Sequence, residues 1–365
     1  MSKVSGIIIK TAYETMGDTA SVELFGKTCL QWVTLAIKAP VVCVDYSDKL
    51  TMPALIKPYL DPESDYTVVL FSDTPLITAK TVYEAVRDAE STGANVIKMT
   101  RGFVFKTSFI SAVDNIYSED THYYDEEDFI TAFSFKQVAL ISEIMRNRIL
   151  SYHMDRGVYI EDMATTFIGS EVSIGKNVRI APGNTIKGNT IINDNVLVDV
   201  NNHITDCILD EGSYTISSKA VHSYIGKRTK VGPYANLRED NVIGEDCKIG
   251  DFVELKKCRI GNGCKIGHLA YLGDVSMGRE CNVGAGVVFA NYDGKDKFTT
   301  SVGDRVFIGS KSIVVAPCVL ESGSFIAAGS TITHDVSAHS LAIGRARQVE
   351  KKNWQGNKYC PTDKN

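Results

Sequence analysis

The sequence predicts an α/β domain over residues 1–155, an all-β parallel β-helix over residues 156–350 and a short tail over residues 351–365. Aliphatic residues recur every six positions in the second part of the chain, whereas short apolar runs alternate with helical stretches in the first part. The length of 365 residues is sufficient for two domains that each bury a core.

Composition excludes several classes of protein. The apolar fraction of 44% and the charged fraction of 23% are typical of a soluble globular protein, and the net charge of −5 argues against a nucleic-acid partner. No run of 18 apolar residues predicts a membrane span, and the N-terminus lacks the features of a signal peptide. The nine cysteines form no Cys-x-x-Cys pair. We therefore expect a cytoplasmic protein with reduced thiols, no membrane partner and no zinc site.

The first 155 residues alternate strand-like and helix-like segments. The runs "VSGIIIK", "PVVCVDY", "YTVVLFSD" and "NVIKM" are rich in Val and Ile, and "AKTVYEAVRDAESTG" has helical spacing. This order predicts an α/β layer with a mostly parallel sheet. Apolar residues around Val138, Ile141 and Leu150 predict a further helix that ends near Gly157 and leads into the second domain.

A six-residue repeat dominates the second domain. Six residues are too many for one alternating strand and do not fit an amphipathic helix, but they suit a short strand followed by a corner. Stacked coils would bury the aliphatic residues in one shaft, and no single coil would fold alone. An ordinary β-sandwich would have turns every 8–12 residues and a looser period. The repeat comprises Ile168, Ile174, Ile180, Ile186, Ile192, Val198 and Ile204, then Ile225, Val231, Leu237, Ile243, Ile249 and Leu255, then, after a one-residue shift, Ile260, Ile266 and Leu272, and after a second such shift Met277 and Val283.

The tandem aliphatic-Gly-x-x-x-x pattern resembles the hexapeptide-repeat acyltransferases, which implies a left-handed β-helix with three hexapeptides per coil. Five further segments carry a closer resemblance: "VGPYANLRED", "GDFVELKK", "GHLAYLGD", "CNVGAG" and "NYDGKDKFTT". In order and spacing they resemble the acetyltransferase half of the bacterial bifunctional N-acetylglucosamine-1-phosphate uridyltransferase/glucosamine-1-phosphate N-acetyltransferase family. The likeness covers roughly residues 160–350.

The resemblance implies transfer of an acetyl group from acetyl-CoA to the amine of glucosamine-1-phosphate, a step toward UDP-N-acetylglucosamine. The amine must lose a proton as it attacks, so a base that titrates near neutrality is required. The family's catalytic base matches His268, and Asn291 matches a position that helps to orient it. The backbone N–H of Ala285 matches the donor to the developing oxyanion, which must be fixed in advance.

The remaining matched positions concern the two substrates. Cationic side chains should surround a sugar phosphate, with arginine able to grip phosphate in a fork. The family's sugar-phosphate positions match Arg238, Lys256, Tyr271, Asn282 and Lys297, with Lys256 chosen over Lys257 by the family register. The acetyl-CoA positions match Ala285, Tyr292, Ser310, Ala328 and Arg345.

The segment "FANYDGKDKFTTSVGD" interrupts the hexapeptide rhythm. Insertions in solenoids form loops, often on the binding face, and Asn, Asp and Gly favour turns. We therefore predict a protruding loop. The resemblance implies that this loop crosses to a neighbouring subunit of a homotrimer, with active sites at the subunit interfaces.

Two fragments of the first domain resemble a nucleotidyltransferase with a Rossmann-like sheet. "VVLFSDTPLIT" puts Asp73 at the position of that family's magnesium-binding aspartate, and "FGKTCLQWVTLAI" resembles a helix of the same domain. A Gly-rich basic loop should cradle the triphosphate, but "KTAYETMGDTAS" stands there, and the second magnesium ligand falls on Phe133. The domain is therefore expected to be degenerate, with the magnesium site and the uridyltransferase activity lost.

Two alternatives remain open at this point. The chain could acetylate another amino sugar or a nucleotide sugar, because loss of the partner activity is compatible with a changed acceptor. It could instead be a non-catalytic trimeric module with a binding or regulatory role, for which the degenerate first domain is the support.

Overall fold

The computed structural model describes residues 2–116 and 121–352, so most of the predicted tail, residues 353–365, lies outside the described residues. The chain divides into two compact units, Met1–Ile191 and Ile192–Asn365. The first unit holds the α/β region and the first coils of the repeat, and the second unit holds the later coils. The boundary between residues 155 and 156 stays a prediction.

A five-stranded mixed sheet forms the centre of the first unit. Its strands, in order across the sheet, are Val41–Asp45, Val4–Lys10, Tyr66–Phe71, Gly102–Lys106 and Val96–Met99. The first three are parallel, as expected, but the last two pair antiparallel. The tight connection between Val96–Met99 and Gly102–Lys106 explains the difference, because a two-residue turn can join only antiparallel neighbours.

Both faces of this sheet are covered. Ile8 packs in one hydrophobic cluster, whereas Ile7 and Ile9 pack in another, because successive side chains of a strand point to opposite faces. The α-helices around the sheet are Cys29–Ala36, Met52–Ile56, Ala79–Thr92, Thr107–Ala112 and Phe135–Met154, and the 3-10 helices are Thr19–Ser21, Lys57–Tyr59 and Glu126–Phe129. Two small hairpins comprise the strands Ala12–Tyr13, Gly17–Asp18, Glu23–Leu24 and Lys27–Thr28.

The helix Phe135–Met154 confirms the predicted helix that ends near Gly157. Ser134 caps its start by accepting a hydrogen bond from the Gln137 N–H. Short parallel strands follow in the same unit, where Tyr159–Ile160 pairs with Arg179–Ile180. The strands of this stretch are Tyr159–Ile160, Phe167–Ile168, Ser173–Ile174, Arg179–Ile180, Thr185–Lys187 and Ile191–Ile192.

The second unit is a parallel β-helix with three faces, each a sheet of very short in-register strands, and this confirms the predicted fold class. The first face comprises Leu197–Val198, Tyr214–Thr215, Lys230–Val231, Lys248–Asp251, Lys265–His268, Asn282–Val283, Phe307–Ile308, Phe325–Ile326 and Leu341–Ala342. The second face comprises His203–Thr205, Lys219–Val221, Asn236–Leu237, Glu254–Lys256, Tyr271–Gly273, Val288–Ala290, Ile313–Val315 and Thr331–Ile332. The third face comprises Ile208–Leu209, Ser223–Ile225, Asn241–Ile243, Arg259–Ile260, Val275–Met277, Thr300–Val302 and Cys318–Leu320.

The repeated aliphatic residues point into the shaft and stack on one another. Leu237, Leu255 and Leu272 are paired in register and fully buried. Each such side chain contributes about 1.5–3 kcal/mol. The irregular stretch between Ile204 and Ile225 forms coils as well. Its first-face and second-face rungs, Thr215 and Ala220, are buried but small or polar, so the aliphatic pattern does not reveal them.

Glycines let neighbouring coils approach at one corner. A Cβ atom on Gly250 would lie 1.9 Å from the carbonyl oxygen of Gly267 in the next coil. That neighbour is backbone, so no side-chain rotation could relieve the contact. At Gly267 itself, a Cβ would meet nothing within 4 Å.

We therefore expect Gly250→Ala to destabilise the β-helix by about 1–3 kcal/mol, the usual range for overpacking. Gly267→Ala is the matched control, because it makes the same chemical change in open space. Thermal unfolding followed by circular dichroism measures both. Equal melting temperatures for the two variants would contradict the close coil-to-coil contact at Gly250.

Candidate active site

His268 is the last residue of the strand Lys265–His268. Its side chain is on the outside of the coil, whereas Ile266, two residues earlier, is fully buried in the shaft. Its side chain is 58% exposed, and its Nδ1 atom is hydrogen-bonded to Oδ1 of Asp251. The backbones of Asp251 and His268 are partners in the parallel ladder. This hydrogen bond is the main cause that lowers the pKa of Asp251 below its usual range.

One position of the repeat lines up at the corner that follows the first face. It lies two residues after the inward-pointing residue of each coil, and the ladder stacks these positions. The N–H of Gly286 donates to the His268 carbonyl at 3.3 Å, and the N–H of Lys311 donates to that of Ala285 at 2.8 Å. We call this line of residues the corner column. Its members are Asp251, His268, Ala285, Ser310 and Ala328.

The corner column thus contains four of the predicted site residues. Ala285 follows His268 by one coil, and its N–H makes no hydrogen bond within the described part of the chain. Ser310 and Ala328 follow in the next two coils, and the Gly329 N–H donates to the Ser310 carbonyl at 2.9 Å. Small residues leave the outer surface of the column open below His268.

The second face carries the predicted cationic residues. Arg238 and Lys256 occupy matching positions on adjacent strands, each directly after a buried leucine. Nη1 of Arg238 lies 3.1 Å from Oε1 of Glu254, and Nζ of Lys256 lies 3.4 Å from Oε1 of Glu239. The Lys256 side chain is only 13% exposed, so its position is well defined.

Lys297 joins this group from the loop. The amino group of Lys256 lies close enough to lower the pKa of Lys297 below its usual range, first through direct contact and then through charge repulsion. We call Arg238, Lys256 and Lys297 the cationic cluster. Two adjacent ammonium groups of this kind favour an anion between them.

Tyr271 and Asn291 converge beside the cationic cluster. The absence of a Cβ at Gly273 makes room for both: such an atom would lie 2.6 Å from the Tyr271 hydroxyl and 2.7 Å from Nδ2 of Asn291. Nδ2 of Asn291 donates to Oδ2 of Asp274 at 2.5 Å. Burial, followed by the charge of Glu254, raises the pKa of Tyr271.

The interruption of the repeat forms a loop that its own contacts hold together. Tyr292 and Lys297 pair across it in an antiparallel bridge, and the Phe298 N–H donates to the Asn291 carbonyl at 2.8 Å. The Asp293 carboxylate accepts hydrogen bonds from two N–H groups of the turn, at 2.8 and 2.7 Å. These contacts orient Lys297 toward Lys256, while the Tyr292 side chain remains exposed.

Part of the repeat region matches a known family model. Residues 257–291 and 299–334 match the model of the bacterial transferase hexapeptide (six repeats). Both matched segments lie in the second unit.

Curated proteins similar to this chain carry the name bifunctional protein GlmU. The protein from Alkaliphilus oremlandii is 44% identical over 228 residues, which are 62% of this chain and 50% of that protein. The protein from Clostridium novyi is 45% identical over 222 residues, which are 61% of this chain and 49% of that protein. The chain spans about half the length of the curated relatives it matches.

Two solved structures show a weaker likeness. The UDP-N-acetylglucosamine acyltransferase of Arabidopsis aligns with a TM-score of 0.37 and 19% identity, covering 49% of this chain and 70% of that chain. The enzyme of the same name from Campylobacter jejuni aligns with a TM-score of 0.32 and 17% identity, and the alignment covers 51% of this chain and 71% of that chain. These scores are too low to carry an argument about this chain.

Not all predicted residues of the hexapeptide region meet in one chain. Asn282 lies on the outside of the first face between Lys265 and Phe307, away from the second-face residues. Arg345 is exposed beside Gly329, near the end of the corner column. The Asn291 amide contacts Asp274 rather than the imidazole it was predicted to orient.

Sequence reasoning missed the carboxylates of the site. Asp251 bonds the predicted base, and Glu254 and Asp274 bond two other predicted residues. Asp251 could have been found by counting, because the spacing of Ile249 and Ile266 equals that of Asp251 and His268. Glu254 and Asp274 stand in the quoted segments "GDFVELKK" and "GHLAYLGD", but acidic residues are common on exposed coil positions, so their presence alone does not mark them as partners.

The family resemblance of the first unit implies a magnesium ion at Asp73, but the surrounding residues do not fit one. Arg101 donates from Nε to Oδ1 of Asp73 at 3.0 Å and from Nη2 to Oδ2 at 2.6 Å. The Tyr13 hydroxyl donates to Oδ2 at 2.7 Å, and burial together with this bond raises the pKa of Tyr13 to about 12. A divalent cation would have to displace a guanidinium of like charge.

The chain at Phe133 does pass beside Asp73, as the sequence predicts. The N–H of the preceding residue, Ala132, donates to the Asp73 carbonyl at 2.7 Å. The Phe133 ring meets the Tyr13 ring edge-on, with centroids 6.3 Å apart. An aromatic ring therefore stands where the resemblance would require an amide ligand.

None of the helices within residues 2–116 and 121–352 combines the length and hydrophobicity needed to cross a membrane. No group of three or more His, Cys, Asp and Glu side chains within these ranges is arranged to hold a metal ion. Cys43 is exposed, and the other described cysteines are buried.

Proposed function

We propose that the hexapeptide region transfers the acetyl group of acetyl-CoA to the amine of glucosamine-1-phosphate, giving N-acetylglucosamine-1-phosphate and CoA. The observation that carries this proposal is the corner column, which holds His268 one coil from the uncommitted N–H of Ala285, with the cationic cluster on the second face that follows this corner and on the loop. The motif resemblance supplies the identity of the acceptor.

His268 acts as the general base in this proposal. The amine nitrogen attacks the thioester carbonyl carbon and passes a proton to Nε2 of the imidazole, whose other nitrogen bonds Asp251. The tetrahedral intermediate then collapses, the C–S bond breaks, and the imidazolium returns the proton to the sulfur of CoA. The step is balanced without a metal ion or a further reactant.

Ala285 stabilises the intermediate. Its N–H is fixed by the ladder and would donate to the carbonyl oxygen as negative charge develops there. One fixed donor of this kind is typically worth about 2.7–4 kcal/mol. Ser310 and Ala328 continue the column by one coil each, about 4.8 Å per step, and offer a path for the extended arm of acetyl-CoA. Arg345 would meet the CoA phosphates near its end.

The cationic cluster binds the sugar phosphate. A dianion between Lys256 and Lys297 would relieve the repulsion that lowers the pKa of Lys297. Arg238 adds a planar fork that matches phosphate geometry, and Tyr271 and Asn291 offer hydrogen bonds to the sugar.

We expect His268→Ala to lower kcat about 10²–10⁴-fold, because the amine loses its proton acceptor. Free CoA release measures the rate, and mass spectrometry of the product measures acetyl transfer. His222→Ala is the matched control, because His222 is another exposed histidine paired with an aspartate, Asp206. Equal rates in wild type and His268→Ala would overturn the role of His268.

A panel of acceptors separates the alternatives. Glucosamine-1-phosphate should give the highest kcat/KM, ahead of glucosamine, other amino sugars and amino nucleotide sugars. A higher value for another acceptor would keep the acetyltransferase and replace the substrate. No turnover with any acceptor, combined with measurable acetyl-CoA binding, would favour the non-catalytic module.

We infer further that the active enzyme is a homotrimer with sites between subunits. Asn282 points outward from the first face, whereas the cationic cluster extends from the second face and the loop. A single small sugar phosphate would not reach both sets in one chain. The exposed rings of Phe307 and Phe325, stacked with centroids 4.4 Å apart, also lie beside Asn282.

Mixing two inactive variants tests this arrangement. Asn282→Ala and Arg238→Ala should each lose most activity alone, and trimers assembled from both should regain part of it, since some interfaces then contain both native residues. Co-expression with two affinity tags isolates the mixed trimers. Mixed trimers without recovered activity would show that both residues serve the same subunit's site, and a monomer in light scattering would exclude the trimer.

We also propose that the first unit has lost uridyl transfer. The bidentate contact of Arg101 with Asp73 supports this, as does the aromatic ring of Phe133 beside Tyr13. With UTP, N-acetylglucosamine-1-phosphate and Mg²⁺, the protein should release no more pyrophosphate than a protein-free blank. A full-length bifunctional relative is the positive control, and release above the blank would contradict the loss.

A further inference from the structure

We propose that Asp251 is a positioning residue for the base. It accepts the Nδ1–H proton of His268 and so holds the imidazole in the tautomer whose Nε2 is free to take the amine proton. This inference rests on the proposed acetyl transfer, and it adds a residue that lies within the segment "GDFVELKK" but is not among the positions matched to a catalytic or substrate-binding role.

The position of Asp251 is fixed by backbone rather than by loop conformation. Both residues are members of the corner column, each preceded by glycine and by a fully buried isoleucine. The Leu269 N–H donates to the Asp251 carbonyl at 2.9 Å, which continues the ladder past the two side chains. Adjacent parallel strands lie about 4.8 Å apart, so a carboxylate in this column meets the imidazole without any rearrangement.

Among the charged groups around His268 and Asp251, Asp251 is the one that sets the tautomer of the imidazole. Lys248 and Lys265 flank it on the two strands, and Lys248 is among the causes that keep the Asp251 carboxylate ionised. On the opposite side, the next coil presents Ala285 and Asn282, and Lys311 lies against Gly286. Among the described residues, no second carboxylate is hydrogen-bonded to His268.

The ionised carboxylate has two consequences for the reaction. It favours the Nδ1–H tautomer, because Nδ1 must donate to an acceptor that cannot itself donate. It also stabilises the imidazolium formed when the amine proton arrives, because opposite charges are then in contact. An amide at position 251 would keep the size but lose the charge, and its NH₂ group could donate to Nδ1 and select the wrong tautomer.

The test is a kinetic cycle of Asp251→Asn, His268→Ala and the double variant. Asp251→Asn should lower kcat at least about tenfold with little change in KM, and it should have no further effect in the His268→Ala background, because the two residues act as one unit. The low-pH limb of its kcat/KM profile should move to lower pH, since the charge that favours the imidazolium is gone. Asp206→Asn, which alters the His222 pair, is the matched control and should leave all of these unchanged.

A merely structural role would give other results. Asp251→Asn would then change stability or both kinetic constants, leave the pH profile in place and add its effect to that of His268→Ala. Any of these outcomes overturns the positioning role.

A readout independent of activity separates this inference from the proposed function. In ¹⁵N-labelled protein, long-range proton–nitrogen NMR spectra should show His268 with its proton on Nδ1, and Asp251→Ala should abolish that preference. Protein that has this tautomer but acetylates no amino sugar would refute the proposed function alone. Active wild-type protein with the proton on Nε2 would refute the role of Asp251 alone.

Discussion

The hydrogen-bond ladder between coils is the constraint on which the candidate site depends. Each coil is aligned with its neighbours because Ile249, Ile266 and Val283 must all point into the shaft. This alignment also fixes the position of the residue that follows each of them by two, which is a member of the corner column. A slip of one residue would reverse inside and outside, burying polar groups and exposing the aliphatic residues. The same apolar energy that folds the β-helix therefore sets the spacing of Asp251, His268 and Ala285.

The regular parts of the β-helix could be predicted from sequence because each aliphatic residue of the repeat is also a residue that packs in the shaft. The aliphatic pattern is interrupted where the shaft is lined differently. Thr215 and Ala220 fill rungs in the stretch after Ile204, and neither carries the large aliphatic side chain that marks the repeat. Burial there depends on neighbouring coils, which local sequence does not reveal.

The candidate site shows a similar division. His268, the cationic cluster and Asp251 all stand in segments with a recognisable pattern, but the role of Asp251 depends on the residue it meets in the next coil. In the first unit, the mostly parallel sheet was predictable, whereas the strand Gly102–Lys106 was not, and its antiparallel pairing with Val96–Met99 follows from a turn of two residues. The Arg101 contact with Asp73 joins two separate segments and could not be read from either.

The acidic partners of the cationic cluster explain how it can be ready for a phosphate. Glu254 and Glu239 hold Arg238 and Lys256 in place, so less side-chain freedom remains to be lost when a ligand binds. Exposed ion pairs of this kind contribute only about 0–1 kcal/mol, so a dianion can displace the Glu254 carboxylate from Arg238 at small cost. Lys256 is more buried and is a stiffer support. Lys297 is different, because Lys256 repels it rather than holding it, and a dianion would turn that repulsion into attraction. The loop that carries Lys297 therefore gains most from the presence of substrate, and it is also the segment that departs from the rigid repeat.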